Sequence, residues 1–337
     1  MKEIKVSVIV PIHNAGIYLN KCLESLIAQT LRELEIILIL DCPTDGSDKI
    51  VEEFKEKDDR IIIIRNKTNL HIGNSRNSGL EIAQGKYVSF CDHDDYMDSR
   101  MYEILYEKAE ISSLDLVCSP YVKVKNGKVE KLVHYPELPS EKLPRIICET
   151  TIGPSLNGDP WEVLSISGAV WNKLFKSSII KEYKLRFVNT NKSSAEDLIF
   201  LMEYSFYCQK AGLVDDLLYY HVIRIDSTGK TLAYTAPDKI IFYLKYTYSF
   251  LFENNLFINP IIQKCFHNRV KKEVVNCILK EYQHNKSLWR VWKVINLFKR
   301  ENLVVETFRL FPSYVFWTST ITKKVLFKIL RFLLVFT

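Results

Sequence analysis

Apolar and polar positions follow two alternating patterns over the first hundred residues, one typical of buried strands and one typical of helices. Four short β-branched or aliphatic runs predict strands that are buried on both faces. These runs are Val6–Val10, Glu35–Leu40, Ile61–Ile64 and Lys86–Phe90. The segments between them place apolar residues at helical spacing. They predict a first helix over Ile17–Thr30 and a second one that is capped by Ser47 and runs through Phe54. A third predicted helix covers Asn74–Gln84 and ends at Gly85. Such alternation predicts an α/β fold with a mostly parallel sheet flanked by helices.

Polar side chains follow all four of these strands, and the third exits into Arg65–Asn69. The first strand exits into Pro11, His13 and Asn14, the second into Asp41, and the fourth into a loop with three carboxylates in four residues. Because crossovers between parallel strands are right-handed, successive strands point the same way and their exits share one edge. Ligands bind at that edge in open α/β sheets. We therefore expect a polar site there.

The carboxylates of the loop after the fourth strand are Asp92, Asp94 and Asp95. Like charges this close repel each other unless a cation neutralises them. One or two carboxylates together with a diphosphate are a usual ligand set for Mn²⁺ or Mg²⁺. A solvated acidic turn, with Asp98 or Ser99 capping a helix over Met101–Lys108, explains the same spacing, so the residues alone leave both interpretations open.

Charge is unevenly distributed along the 337 residues. The chain carries a net +6, but residues 284–337 contain ten Lys or Arg and two acids, which leaves a net −2 on the rest. This tail mixes its basic residues with Trp and Phe, which suits peripheral contact with a membrane surface. A helical subdomain or dimer interface explains the pattern as well. Uncharged runs in the tail are too short to span a bilayer, and no nucleic-acid-binding motif accompanies it.

Eight cysteines are scattered along the chain without a CxxC pair, and no His or Cys cluster has the spacing of a zinc site. The N-terminal apolar run is too short for a signal-peptide core. We therefore expect reduced thiols and a cytoplasmic location, with contact to the inner face of the cell membrane through the tail as an option.

Six segments together carry a family resemblance. They are Val6–Asn14, Glu35–Asp41 with Thr44–Ser47, Arg76–Gly79, Asp92–Asp95, Trp171–Phe175 and Ser194–Asp197. In this order and spacing the chain resembles the family 2 glycosyltransferases of the GT-A fold across most of residues 5–230. Three positions depart from the usual family pattern: Leu40 replaces an acidic or amide residue, His71 a glycine, and Cys42-Pro43 a small Gly-Ser pair.

The resemblance implies a role for each matching residue. Asp41 would bind the nucleotide base, Asp92 would lie near the ribose and the metal, and Asp94 would ligate the metal. Asp197, with its neighbour Glu196 as the second choice, would be the catalytic base. The remaining donor-binding candidates are Pro11, His13, Asn14 and Arg76.

Four candidate residues keep two interpretations each. His221 is a possible metal or diphosphate ligand or a packed histidine, and Arg76 is a donor-site residue or a helix-surface ion pair. Arg224 pairs with diphosphate or with a surface acid. Trp171 stacks on a sugar or belongs to the core.

The resemblance further implies an inverting enzyme in surface polysaccharide synthesis. Its donor would be a nucleoside-diphosphate sugar, with UDP-sugar as the first choice, and its acceptor a hydroxyl of a saccharide or of a lipid-linked molecule. We expect a donor half at residues 1–115, an acceptor half at 116–232 and a helical region at 233–337, with an oligomer possible. One alternative is a nucleotide-sugar-binding scaffold without activity. A nucleotidyltransferase is disfavoured because residues 11–16 hold no Gly-rich or Lys-bearing phosphate loop.

Overall fold

The structure, a computed structural model, describes residues 3–133, 139–153, 168–224, 236–310 and 321–335. Its strands are β1 Val6–Ile12, β2 Leu34–Leu40, β3 Ile61–Arg65, β4 Tyr87–Phe90, β5 Tyr96–Met97, β6 Leu116–Cys118, β7 Tyr121–Lys125, β8 Lys128–Val133, β9 Lys173–Lys176, β10 Ala211–Leu213 and β11 Tyr219–Val222. Its α-helices are α1 Leu19–Ile27, α2 Ser47–Lys57, α3 His71–Ile82, α4 Met101–Ile111, α5 Leu143–Ile152, α6 Ser177–Glu182, α7 Glu196–Tyr207, α8 Pro237–Glu253, α9 Pro260–Asn285, α10 Leu288–Lys299, α11 Asn302–Leu310 and α12 Ile321–Val335.

The described chain divides into two compact units. The first comprises residues 1–148, 160–190 and 196–225, and the second comprises residues 149–159, 191–195 and 226–337. The predicted boundary at residue 115 lies between α4 and β6 of the first unit, and the one at residue 232 lies outside the described residues. None of the described helices is long and apolar enough to cross a membrane.

A seven-stranded sheet in the order β10-β6-β9-β4-β1-β2-β3 forms the centre of the first unit. The strands β4, β1, β2 and β3 are mutually parallel, β10 is parallel to β6, and β9 is antiparallel to both of its neighbours. A second sheet has the order β5-β11-β7-β8. The predicted α/β fold with a mostly parallel sheet is therefore confirmed, and so is the helical C-terminal region.

Burial on both faces explains why β1 and β2 read as continuous apolar runs. Val8 and Val10 of β1 pack into one core layer and Ile9 into the layer on the other face. Strand β2 divides in the same way, with Leu38 in the first layer and Ile39 in the second. Helices cover both faces, as expected for parallel strands. The strand ends are thereby fixed, and the loops that leave them hold defined positions.

The three helices predicted before β4 differ from the observed ones at their ends. Helix α1 covers Leu19–Ile27, two residues shorter at its start and three at its end than predicted. Helix α2 begins at Ser47, and it is Asp45 whose Oδ1 accepts the Ser47 backbone N–H at 3.1 Å, so Ser47 is not the capping residue. Helix α3 runs from His71 to Ile82, three residues earlier than predicted at its start. Gly85 lies beyond its end, where an added Cβ would come within 2.7 Å of Ser7 Oγ. This glycine therefore permits close packing of the chain on β1.

Candidate active site

The loop that leaves β4 holds the three carboxylates at the predicted edge of the sheet. Asp92 and Asp94 are partly accessible, whereas Asp95 is buried. Asp41 lies at the end of β2 and the loop after β1 begins at His13, because β1, β2 and β4 are parallel neighbours. The structure thus brings the predicted donor-side residues to one edge.

Arg76 joins two parts of the site that lie far apart in the sequence. Its guanidinium, only 1% exposed, donates from Nη2 to Asp92 Oδ1 at 2.9 Å and from Nη1 to Asp197 Oδ1. Burial disfavours the charged form, but the attraction of Asp197 and Asp92 outweighs it and raises the pKa of Arg76. The buried Nε has no hydrogen-bond partner among the described residues. The helix-surface ion pair considered for Arg76 is therefore wrong, and the residue is a buried bridge.

The acidic pair Glu196 and Asp197 opens helix α7. Burial, together with the charge of Asp197, raises the pKa of Glu196 to about 7. Burial also raises the pKa of Asp197, while the charge of Arg76 opposes that rise. A carboxylate whose pKa is shifted toward neutrality suits general-base work at physiological pH, since such a base should titrate near the working pH.

Asp95 and His221 form a hydrogen-bonded network in which Asp95 is buried and His221 is 36% exposed. Asp95 Oδ2 accepts from the Tyr219 hydroxyl at 2.8 Å and from His221 Nδ1 at 3.2 Å, and Oδ1 accepts the Val222 N–H at 2.7 Å. Burial raises the pKa of Asp95 to about 6. Burial lowers the pKa of His221, but the bond to Asp95 outweighs this effect and the net shift is upward.

Trp171 lies against this network in the aromatic core. Its ring stacks on Tyr219 at 4.4 Å and on His221 at 5.2 Å between centroids, and the side chain is buried. The core interpretation of Trp171 therefore holds in the structure. Asp94 Oδ2 meets Arg224 Nη1 at 3.3 Å, so Arg224 pairs with a carboxylate of the site.

The donor-side loops are held together by side chains from the exits of β1, β2 and β3. Asp41 Oδ1 accepts from Asn66 Nδ2 and from the Leu70 N–H, both at 2.7 Å, whereas Oδ2 accepts no hydrogen bond from the described residues. His13 Nδ1 lies 2.6 Å from the Asp41 carbonyl oxygen. Asn14 Oδ1 accepts the Thr44 N–H at 2.8 Å. Pro11 is buried, and its carbonyl oxygen lies 3.0 Å from His93 Nδ1.

Two of the departures from the family pattern fall at left-handed backbone positions. Cys42 has φ +52° and His71 has φ +62°. Both stand where the resemblance leads us to expect a small or glycine residue, and left-handed backbone costs a residue with a Cβ roughly 1–2 kcal/mol. The backbone at Cys42 and His71 therefore has the left-handed conformation that glycine favours, and this lowers the stability of the folded chain.

Asp95 and Lys173 contribute to the site although their residue types alone did not predict it. Asp95 was counted among the loop carboxylates but given no role, and no pattern in the sequence marks it as the buried member of the three. Lys173 is fully buried, with Nζ bonded to the Ala169 carbonyl and, at 2.9 Å, to Asn172 Oδ1. Burial lowers its pKa to about 8. These bonds fix the segment that carries Trp171, which could not be read from residue types alone.

Residues 7–159 match the family model described as Glycosyl transferase family 2. The poly(ribitol-phosphate) beta-glucosyltransferase of Bacillus spizizenii is 28% identical over 237 residues, which cover 69% of this chain and 34% of that protein. The cholesterol galactosyltransferase of Borreliella burgdorferi is 30% identical over 242 residues, which cover 70% of this chain and 65% of that protein. The chain therefore spans about a third of the first relative and just under two thirds of the second.

Solved structures resemble the chain over most of its length. Staphylococcus aureus TarS 1–349 in complex with UDP-GlcNAc has a TM-score of 0.64 at 21% identity and covers 90% of this chain and 81% of its own. The mannosyltransferase PcManGT from Pyrobaculum calidifontis, in complex with GDP-Man and Mn²⁺, has a TM-score of 0.54 at 13% identity. The match covers 98% of this chain and 84% of the mannosyltransferase chain. These likenesses confirm the predicted GT-A fold.

Proposed function

We propose that this chain, which belongs to glycosyl transferase family 2, transfers a sugar from a nucleotide sugar to an acceptor hydroxyl. The observation that carries the proposal is the Arg76 bridge. It joins Asp92, in the loop after β4, to Asp197, at the start of α7. One side of this bridge suits the diphosphate of a donor and the other side suits a base for the acceptor, which are the two needs of glycosyl transfer.

On the donor side, Asp41 is the proposed partner of the nucleotide base. Its Oδ1 is fixed by Asn66 and Leu70, which leaves Oδ2 to accept from a ring N–H. A uracil ring offers such a donor, and the TarS structures with UDP-GlcNAc and UDP support UDP-sugar as the first donor to test. His13 and Asn14, at the exit of β1, are proposed to border this pocket.

The residues present fit a divalent cation held partly by substrate. Asp92 Oδ2 and Asp94 Oδ1 accept no hydrogen bond from the described residues, so each carboxylate keeps one oxygen for a metal. No group of three or more His, Cys, Asp or Glu with metal-site geometry occurs in the described part of the chain. This pattern fits Mn²⁺ or Mg²⁺ bound through one or two carboxylates and diphosphate oxygens. Bound there, the cation would offset negative charge on the leaving diphosphate.

His221 is the proposed additional ligand to metal or diphosphate. Its Nδ1 faces Asp95 at 3.2 Å, which leaves Nε2 as the ring atom available to a ligand. Histidine ligands are commonly oriented in this way by a carboxylate at the other ring nitrogen. The stack on Trp171 restricts the ring further.

The chemical step needs a proton acceptor near the acceptor hydroxyl. Asp197 is proposed to take that proton as the hydroxyl oxygen forms its bond to the anomeric carbon and the bond from that carbon to the diphosphate breaks. Attack opposite the leaving group inverts the anomeric centre. Arg76 would keep Asp197 ionised and correctly placed, and Glu196 would add charge beside it. A positioned base of this kind contributes about 10²–10⁴-fold in rate.

Release of nucleoside diphosphate tests the proposal directly. The wild-type chain should release it from at least one nucleotide sugar with Mn²⁺ or Mg²⁺, and EDTA should stop the release. Asp94→Asn should lose most of this turnover while its circular dichroism stays that of the wild type, because a ligand to the cation is removed. Asp59→Asn, at an exposed acid two residues after the end of α2, is the matched control. Donor binding without any release would instead indicate a nucleotide-sugar-binding scaffold.

The acceptor and the site of action are further parts of the proposal. The names of the two relatives describe a phosphodiester polymer and a sterol as acceptors, which supports a surface polymer or a lipid-linked acceptor as the class. In the second unit, helix α10 exposes Trp289 by 63% and Trp292 by 44%, and Lys293 Nζ lies 3.5 Å from the Trp289 ring centroid. Exposed Trp beside Lys suits an anionic membrane surface.

Sedimentation with phosphatidylglycerol vesicles tests the membrane contact. The double variant W289A/W292A should sediment less than the wild type, because two exposed apolar anchors are removed. Ile111→Ala, at an exposed apolar residue of α4 in the first unit, is the control. Equal sedimentation of all three proteins would remove the membrane contact and leave the enzymatic proposal intact.

A further inference from the structure

The hairpin of β7 and β8 pairs lysine with lysine. Lys123 lies directly opposite Lys131, and Lys125 lies directly opposite Lys128. Like charges at directly opposed positions destabilise an antiparallel pair. The two lysine pairs therefore lower the stability of this hairpin.

Acidic neighbours do not neutralise this arrangement. Glu130, at the irregularity in β8, reaches Lys125 at 3.7 Å, and both side chains are about half exposed. Such a surface pair contributes little. Lys123, Lys128 and Lys131 form no ion pair with a described residue. The hairpin therefore presents uncompensated positive charge to solvent.

The lysines lie on the same face of the sheet as the candidate site. Strand β11 runs parallel to β7, with Tyr219 beside Tyr121 and His221 beside Lys123. The Trp171 ring contacts Tyr121, Tyr219 and His221, which places these three side chains on one face. Lys123, two residues after Tyr121, shares that face because side chains alternate along a strand.

His221, Lys123 and Lys131 consequently form one row across three strands, with neighbouring strands about 4.8 Å apart. The pair Lys125 and Lys128 forms a second row, roughly 7 Å farther along the strands. The two rows of lysines therefore begin beside His221 and extend to the turn at Asn126-Gly127. His221 in turn is bonded to Asp95, in the same loop as Asp92 and Asp94.

We propose that this lysine face, formed by Lys123, Lys125, Lys128 and Lys131, binds the acceptor and that the acceptor is a linear phosphodiester polymer. The proposal rests on the proposed glycosyl transfer, since it names the acceptor class for that site. Lysine binds phosphate as a point charge, and repeated point charges match a chain with a phosphate at each repeat. Binding along the two rows would present a neighbouring hydroxyl of the chain to the site.

Two other polyanions fit this face less well. A nucleic acid would gain from exposed aromatic rings on which bases stack, but Tyr121, the one aromatic residue of β7 and β8, is buried. An anionic membrane would gain from apolar side chains beside the lysines. The exposed Val129 and Leu132 pair with Val124 and Val122 and lie on the opposite face of the hairpin.

Fluorescence anisotropy with a labelled ribitol-phosphate oligomer of about ten repeats tests the inference without requiring transfer. The variant K123Q/K131Q should bind about tenfold more weakly than the wild type, because two surface charge contacts are lost. The slope of log affinity against log salt should become shallower by about 1.4, as for two phosphate contacts on a flexible strand. K123R/K131R should keep the affinity, and K57Q/K108Q, two exposed lysines elsewhere in the first unit, should leave it unchanged.

Unchanged binding by K123Q/K131Q, or equal weakening by K57Q/K108Q, would overturn the inference. The same would follow if a single-stranded DNA 12-mer or phosphatidylglycerol vesicles bound more tightly than the oligomer and lost that binding in K123Q/K131Q. Release of nucleoside diphosphate, measured on the same proteins, separates the two proposals. Absence of release from every nucleotide sugar would contradict glycosyl transfer, whereas normal release with unaltered oligomer binding would contradict the lysine face alone.

Discussion

Replacement of Arg76 by methionine removes the cation that joins the two halves of the candidate site. The guanidinium is 1% exposed, and Asp92 and Asp197, which it contacts, are about a quarter exposed. Removing one partner of a buried ion pair costs about 3–5 kcal/mol, because the other charge remains buried and unpaired. The partial exposure of both carboxylates places the expected loss for Arg76→Met near the lower end, at about 3 kcal/mol.

The pH dependence of this loss has a definite sign. Burial already raises the pKa of Asp197 above its ordinary value, and Arg76 restrains that rise. Without Arg76 the folded-state pKa rises further above the unfolded value, so the folded variant takes up a proton that the unfolded chain releases. The variant therefore regains stability as the pH falls. We expect the penalty of Arg76→Met to be larger at pH 8 than at pH 5.5.

Urea unfolding followed by circular dichroism measures the effect at both pH values. Arg65→Met is the matched control, since Arg65 forms an exposed ion pair with Glu52 in the same unit and should lose less than about 1 kcal/mol. In a double-mutant cycle, R76M/D197N should be more stable than the sum of the single effects predicts, by about 1–3 kcal/mol. A loss under about 1 kcal/mol for Arg76→Met, or a penalty that grows at pH 5.5, would refute the reasoning.

Three further predictions concern single residues. Asp197→Asn should lower kcat by about 10²–10⁴-fold with the donor KM little changed, because only the proposed base is lost; a large rise in donor KM at unchanged kcat would contradict that role. Burial, with the charge of Lys271, lowers the pKa of His267 to about 4 from the value of 6.5 that holds in the unfolded chain. The neutral imidazole therefore does not weaken the fold above pH 6.5, and the free energy of unfolding decreases as the pH falls from there toward 4. That loss amounts to about 3 kcal/mol, and His267→Gln should flatten the corresponding part of a plot of unfolding free energy against pH. His71→Gly should raise the free energy of unfolding by about 0.5–1 kcal/mol, because the left-handed backbone no longer opposes a Cβ; Lys67→Gly, at a residue without positive φ, should lower it.

Much of the fold could be predicted from the sequence because local patterns determine it. The strands β1 to β4 follow from apolar runs whose alternate residues enter two core layers, as Val8 and Ile9 do. Parallel order then places the strand exits at one edge, so Asp41 and Asp92 could be assigned there in advance. The starts of α2 and α3 differed from the prediction because hydrogen bonds just before each helix, from the Ser47 N–H to Asp45 and from the Leu70 N–H to Asp41, help to decide where the helix begins, and periodicity does not report them.

The partners of the site residues depended on the tertiary structure. Asp92 and Asp197 are more than a hundred residues apart, and only the packing of α3 and α7 shows that Arg76 lies between them. The residue type of Arg76 did not distinguish a surface ion pair from a buried bridge, because arginine forms both. The pKa of Glu196 depends on burial and on that same neighbourhood, which a sequence pattern does not contain.

The sequence by itself determined which chemical groups this protein possesses and at which strand exits they occur. Its alternating patterns encode local structure and burial, and these place Asp92, Asp94 and Asp41 on one edge. The tertiary structure decided which groups meet. It set Arg76 between two carboxylates and Lys123 beside His221, because contacts between distant segments depend on strand order and register. Those contacts carry the proposals for catalysis and for the acceptor.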